Sequence, residues 1–292
     1  MSKFEIFTDS SANLPKGIIK KYHIGVAPFI CIYGGKEHYC TESASDFNSN
    51  EFYAAMRAKQ PVTTSMVNEH VFYNMFKDCA EKGKKLLYVG MSSALSVTYS
   101  AACRALNELR DEFPHFEYHA TDTLSGSLGE GLICYYSALM REKGDDLNIT
   151  VKKLNYIVER LRSRFTPEDL FYIKRGGRIS ATAAIAGSLL GIKPLLKTQS
   201  DGVIVMQGKV RGRKAALDKL IDELKRSVDM AKHQIVAISH ADCSADAEYL
   251  KSELKKLPYV SDILLEPMEP VTACHGGPGM IALFYIAREK NA

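Results

Sequence analysis

No stretch of about 18 apolar residues occurs in the 292-residue sequence, and its first residues, Met1-Ser2-Lys3-Phe4, lack the apolar run of a secretory signal peptide. A transmembrane helix and a secreted precursor are both unexpected. Cysteine is sparse and scattered over Cys31, Cys40, Cys79, Cys103, Cys134, Cys243 and Cys274, never spaced as CxxC. An odd, dispersed set reads as reduced thiols of a cytoplasmic protein, not as a disulfide frame or zinc site. Net charge is only +4, which gives no case for a general nucleic-acid binder, whose basic stripe would be interleaved with aromatics. Hydrophobic content of 46% and charged content of 25% exclude disordered and fibrous classes. Walker A, strand-linked GxGxxG and HExxH patterns and acidic metal clusters are absent, so no metal or cofactor is expected. Around Ser127 the chain reads Ser125-Gly126-Ser127-Leu128-Gly129, with serine where a GxSxG nucleophile elbow has its first glycine.

What is present alternates short apolar runs with helical periodicity. Lys3–Thr8, Gly25–Tyr33, Lys85–Met91 and Phe116–Ala120 read as strands. Lys16–Tyr22, Glu51–Ala58, His70–Lys82, Thr98–Glu112 and Gly126–Lys143 read as helices, with Pro61–Asn68 a loop. Repeated strand–loop–helix units predict an α/β fold whose first half holds a mainly parallel sheet, with ligands expected in the loops at the strands' carboxyl ends. The character changes after Asp146. Thr150–Arg164 reads as an amphipathic helix, Lys174–Ser180 as a glycine turn, and Ala181–Leu196 as a stretch apolar on every face. Strands at Val203–Met206, Ile235–His240, Asp262–Leu265 and Met280–Ala287, with helices at Ala215–Met230 and Ala245–Lys256, complete a second α/β unit. The expected domains are residues 1–155 and 156–292.

Four segments are too polar or glycine-rich for their apolar neighbourhoods: Val62-Thr63-Thr64-Ser65, Ser92–Tyr99, Tyr172–Ser180 and Thr272–Gly279. Hydroxyls at the start of the Thr98 helix can cap it, and the same hydroxyls with free helix-start N–H groups can bind phosphate or carboxylate. Lys174, Arg175 and Arg178 around Gly176-Gly177 can cradle a phosphate or pair with carboxylates at a turn. Ile185, Leu189 and Leu190 fit either core packing or the lining of something apolar. His275 lies beside glycines, where backbone or ligand can approach closely. Cys274 would point away from it in an extended segment, so a Cys–His dyad is not expected.

Taken together, the chain resembles the DegV family from about Lys3 to Ala287. Six stretches carry the resemblance in matching order: Thr8–Pro15, Thr63-Thr64-Ser65, Ser92–Tyr99, Lys174–Ser180, Lys209–Ala215 and His275-Gly276-Gly277-Pro278-Gly279. The family includes the fatty-acid-binding subunits of bacterial fatty acid kinase. The resemblance implies two α/β domains, a lipid tunnel in the second, and a fatty acid carboxylate held at the junction. It assigns the carboxylate to Thr64, Ser65, Ser96 and His275, phosphoryl transfer or kinase contact to Arg211, and tunnel lining to Ile185, Leu189 and Leu190. Val97, Met66 and Gly276 depart from the family's usual glycine, glutamine and threonine.

The resemblance thus implies a cytoplasmic, non-catalytic lipid carrier. Its partners would be a long-chain fatty acid and a separate ATP-dependent kinase subunit that forms the acyl-phosphate for phospholipid synthesis. The low net charge makes a nucleic-acid partner unexpected, and any contact with a membrane surface would be transient. Residues 150–232 hold 18 Lys and Arg against 8 Asp and Glu, which suits either a solvated surface or a docking face. The alternative is a small-metabolite kinase or phosphatase-like enzyme with its phosphate site at Lys174–Arg178.

Overall fold

The computed structural model describes residues 4–40, 48–168, 170–179 and 191–290. The first half contains β1 (Glu5–Asp9), a 3-10 turn (Ser10–Ala12), α1 (Lys16–Lys21), β2 (Ile24–Ala27), β3 (Phe29–Tyr33), β4 (Lys36–Cys40) and α2 (Ser49–Arg57). It continues with β5 (Thr63–Ser65), α3 (Glu69–Glu81), β6 (Leu86–Gly90), α4 (Thr98–Glu112), β7 (Tyr118–Asp122), α5 (Leu128–Glu142) and α6 (Leu147–Val158). The second half contains β8 (Leu161–Thr166), α7 (Phe171–Gly176), β9 (Ile192–Thr198), β10 (Ile204–Arg211), α8 (Arg213–Ser227) and β11 (Gln234–His240). It ends with α9 (Ser244–Leu254), β12 (Val260–Pro267), α10 (Pro270–Gly276) and β13 (Ile281–Ile286).

The expected α/β fold with a parallel first sheet is what forms. Strands order β2-β1-β6-β7, all parallel. Central β6 is apolar along its length because both of its faces are covered. Leu86 and Tyr88 enter the core with Phe72, Phe76 and Ala105, while Leu87 and Val89 enter the opposite core with Leu132 and Ile133. A small antiparallel sheet, β4-β3-β5, stands beside it.

The second sheet orders β10-β9-β8-β13-β11-β12 and is antiparallel except for the β11–β12 pair. Period-2 alternation sorts the faces of β13. Ile281, Leu283 and Tyr285 pack with Leu217, Leu220 and Leu250 of α8 and α9, while Ala282 and Phe284 turn the other way. Helix α5 packs against β1 and β6 of one sheet and β11 and β13 of the other, so the two halves share it. The first sheet ends at Asp122 and the second begins at Leu161; the boundary expected at 155/156 falls in the last turn of α6.

Three expectations are corrected. The helix read through Arg164 stops at Val158, and Leu161–Thr166 is an interior strand between β13 and β9. Its alternation is Leu161, Ser163, Phe165 on one face and Arg162, Arg164 on the other, where Arg164 meets Glu223 at 3.9 Å. Ile192–Leu196, read as the end of a stretch apolar on every face as a buried helix would be, belongs to β9. The turn expected from Lys174 is helical to Gly176 and ends at Gly177, whose φ of 68° is the left-handed C-terminal stop that glycine favours.

The Thr8–Pro15 motif ties β1 to α5. Thr8 Oγ1 donates to Glu130 Oε1 at 3.0 Å, Ser11 Oγ reaches Glu130 Oε2 at 2.7 Å, and Tyr88 OH donates to Asp9 Oδ2 at 2.8 Å. Ser11 Oγ also contacts Asp9 Oδ1. A hydroxyl has one hydrogen, so Ser11 can donate fully to only one of these two carboxyls at a time. Burial raises the pKa of both, Glu130 to well above the usual carboxylate range. This motif is scaffold.

Candidate functional site

A cavity of about 540 Å³ lies between the two sheets. Its walls come from both halves of the chain: Phe29 and Met91 from the first, and Phe165, Met268, Met280 and Phe284 from the second. A volume of this size lined mainly by apolar groups with a few convergent polar ones is what small-molecule sites look like.

Thr64, Ser65, Ser96 and His275 all line this cavity. Thr64 arrives on β5, a strand within the expected 61–68 loop, paired through Cys31 to β3. Ser96 precedes α4, in the turn that follows β6. His275 sits in the last turn of α10, a helix where a loop was expected. Pro270 at the helix start and the Glu269 side chain, which accepts from the Val271 and Thr272 N–H groups at 2.6 Å each, fix that helix. Consecutive helical residues diverge by about 100°. Accordingly Cys274 Sγ donates to Val62 O at 3.3 Å while His275 Nε2 meets Thr64 Oγ1 at 3.1 Å. The two do not form a dyad.

Burial, and then the Arg178 and Arg175 charges, push the His275 pKa down to about 4. The ring is therefore neutral at neutral pH. With hydrogen on Nε2 it donates to Thr64 Oγ1, leaving the Thr64 O–H free to donate into the cavity. Gly176 makes room for the ring, since a Cβ there would lie 2.4 Å from His275 Nδ1. Ser96 Oγ accepts from the Thr98 N–H at 3.2 Å, engaging one helix-start N–H although the N-cap position belongs to Val97, and its own hydrogen points to Thr98 Oγ1 at 2.9 Å. Rotation about the Cβ–Oγ bond can turn that hydrogen into the cavity while the bond from the Thr98 N–H is kept.

Of the three cations near Gly176-Gly177, Arg178 lines the cavity, and its Nε donates to Leu95 O at 3.3 Å. Lys174 and Arg175 are not among the lining residues; Arg175 donates to Val62 O at 3.4 Å and lies over the Tyr172 ring. A three-cation phosphate cradle is not assembled. Arg178 was not among the carboxylate residues inferred from the sequence, although its glycine-rich setting marked it. Arg211 ends β10, is exposed, and is outside the lining. Arg213, two residues on, reaches the site's scaffold instead, donating to Gly279 O at 2.7 Å beyond the His275 helix and pairing with Asp246 at 2.8 Å. Ile185, Leu189 and Leu190 lie outside the described residues.

Ser125 and Ser127 also line the cavity. Ser127 takes φ 53° and ψ −148° at the entry to α5, a backbone shape reminiscent of a nucleophile elbow, but its Oγ donates to Ser239 Oγ at 3.0 Å. Among the described residues neither a histidine nor a carboxylate bonds to it, and no group of three or more His, Cys, Asp or Glu could hold a metal. No described helix is long and apolar enough to cross a membrane.

Fold and site together define an α/β protein with an apolar cavity rimmed by hydroxyl, imidazole and guanidinium donors, suited to an amphiphile with an anionic head. The DegV family model, described as an uncharacterised protein family, matches residues 3–288, and the chain belongs to that family. A DegV domain-containing protein of Clostridium perfringens is 36% identical over 291 residues, covering 100% of both chains. One from Lactococcus lactis is 34% identical over 288 residues, covering 99% of each. Among solved structures, a DegV lipid-binding protein from Thermotoga maritima superposes with a TM-score of 0.84 at 26% identity, covering 100% of both chains. A fatty-acid-binding DegV family protein from Streptococcus agalactiae gives 0.84 at 25% identity, covering 99% of this chain and 100% of its own.

Proposed function

We propose that this chain binds one long-chain fatty acid in the cavity and presents its carboxylate to a separate ATP-dependent kinase, which forms the acyl-phosphate for phospholipid synthesis in the cytoplasm. One observation carries the binding half: Thr64, Ser65, Ser96 and His275, from three separate segments, meet at a single apolar cavity. Thr64 and Ser96 donate to the carboxylate, neutral His275 orients Thr64, and Arg178 adds a positive charge at the same wall. Charge-assisted hydrogen bonds of this kind are the stronger ones. A chain of about sixteen methylenes, at roughly 0.8 kcal/mol each, gains about 13 kcal/mol gross on burial, enough to offset most estimates of the cost of association. The lipid and fatty acid ligands of the Thermotoga and Streptococcus relatives support the same use of this cavity.

In this reading the chain is a carrier and the chemistry belongs to the kinase. Arg211, exposed at the end of β10, is free to meet the kinase or the transferred phosphoryl group, and other exposed cations of the basic 150–232 segment, such as Lys174 and Arg175, would serve as a docking face. The two units meet near residue 155, and the lipid lies in the cavity between them rather than within the C-terminal unit alone. Changing Thr64→Ala and Ser96→Ala together tests the head-group assignment. Loss of one charge-assisted bond costs about 1.5–3 kcal/mol, so the pair is expected to weaken fatty acid binding well over tenfold with the melting temperature nearly unchanged. Unaltered affinity in a competition titration removes the assignment.

A further inference from the structure

The Ser125-Gly126-Ser127 segment does not work as a nucleophile elbow, yet it puts two serines on the cavity wall. Each is paired with a serine of the second sheet. Ser125 Oγ and Ser163 Oγ lie 2.9 Å apart, and Ser127 Oγ donates to Ser239 Oγ at 3.0 Å. Ser163 on β8 stands opposite Phe284 of β13, and Ser239 on β11 stands opposite Ala282. Directly opposed residues share a face of the sheet, and Phe284 and Ala282 line the cavity. The four serines, all more than nine-tenths buried, thus form a polar strip around an apolar floor. The strip comes from the loop before α5, from β8 and from β11, whereas the head-group donors come from β5, the turn before α4 and α10.

This strip has hydrogen-bonding capacity to spare. Two hydroxyls in mutual contact spend one of their two hydrogens on each other. The other hydrogen of the Ser125/Ser163 pair has only Gly126 O, 3.5 Å from Ser125 Oγ and beyond the usual O–H···O range. Ser127 Oγ donates but, among the described residues, accepts from nothing. One donor and one acceptor are left for whatever fills the cavity. An alcohol complements both, since its oxygen accepts and its hydrogen donates. Methylenes laid over the strip satisfy neither, which carries a free-energy cost. Holding the two halves of the chain together requires the serine–serine bonds, but it does not require Ser125, Ser127 and Ser163 to open onto the cavity, as they do.

We infer that this strip is a subsite for an oxygen on the acyl chain, so that the cavity takes a long-chain fatty acid carrying a hydroxyl group along its chain. This rests on the fatty-acid reading above. The carboxylate keeps Thr64, Ser96 and His275. The chain hydroxyl accepts from the Ser125/Ser163 pair, with Ser127 Oγ, two residues along the same loop, as the acceptor for its hydrogen.

Octadecanoic acid and a series of octadecanoic acids hydroxylated at single mid-chain carbons are titrated against the unmodified protein and the Ser125→Ala, Ser163→Ala double variant. Removing both members of the pair strands neither, so the variant is expected to fold, as a thermal melt checks. In the unmodified protein an isomer whose hydroxyl reaches the strip is expected to bind at least as tightly as octadecanoic acid. Isomers whose hydroxyl falls elsewhere are expected to bind about tenfold more weakly or worse. In the double variant the favoured isomer is expected to lose about tenfold, while octadecanoic acid tightens. A series in which every isomer binds more weakly than octadecanoic acid, or a double variant that weakens every acid equally, overturns the inference and spares the fatty-acid reading. Should the double variant not fold, the isomer series on the unmodified protein decides alone. Unmodified protein that binds none of these acids refutes the fatty-acid reading and the inference with it.

Discussion

Two groups at opposite ends of one short helix, the buried Glu269 that caps α10 and the half-buried His275 in its last turn, are set to titrate against each other, and removing either one exposes the other. Burial raises Glu269 from 4.5 to about 7 despite the bonds it accepts at the start of α10. Burial, Arg178 and Arg175 lower His275 from 6.5 to about 4. Between pH 4.5 and 7 the folded protein holds a proton on Glu269 that the unfolded chain has lost, so this group's contribution to stability falls as pH rises. At about 1.4 kcal/mol per pH unit, the fall amounts to about 3 kcal/mol. Between pH 4 and 6.5 the unfolded chain holds a proton on His275 that the folded protein lacks, so that contribution rises with pH by at most about 3 kcal/mol, less where water screens the half-buried ring. Across pH 4.5–6.5 the two nearly cancel. Urea unfolding of the unmodified protein, Glu269→Gln and His275→Asn, at intervals from pH 4.5 to 8, isolates each term as a difference, so that other titrating groups such as Asp9, Glu130 and His240 drop out. The Gln variant is expected to gain on the unmodified protein as pH rises to 7, and the Asn variant to gain as pH falls below 6.5. Stability differences that stay constant across the range, for both variants, refute the reasoning.

Gly176→Ala places a Cβ where His275 Nδ1 lies 2.4 Å away, so the ring must move off Thr64; fatty acid affinity is expected to drop about tenfold, on the scale of one lost hydrogen bond, while helicity by circular dichroism is unchanged. Wild-type affinity in that variant separates His275 from the head-group site. Arg211→Ala, outside the cavity, is expected to retain lipid binding and to reduce acyl-phosphate formation with a purified kinase; loss of binding instead makes Arg211 a structural residue.

The parallel sheet was legible because its signals are local. β6 is a continuous apolar run, and α3 and α4 show helical periodicity after clear breaks. β8 was not legible. Only Glu159 and Arg160 separate it from α6, too few to show a turn, and Arg162 and Arg164 put charge on a buried strand that only Glu223 and backbone carbonyls explain. α10 carried a usable signal, a proline at its first turn after an acidic cap, which the following glycines obscured. The polar residues of the site were reachable through a family resemblance. The cavity itself was not, since Met91, Met268 and Met280 become neighbours only through tertiary folding and leave no local pattern.

The central claim, that the cavity is a fatty acid site, is tested most directly by what it already contains when the protein is made. The chain is expressed in bacteria, purified without added ligand, denatured and extracted, and the extract is analysed by mass spectrometry. The account predicts a long-chain fatty acid approaching one molecule per protein chain, reduced in the Thr64→Ala, Ser96→Ala double variant. An extract with no fatty acid, from protein that also fails to bind one in titration, contradicts it.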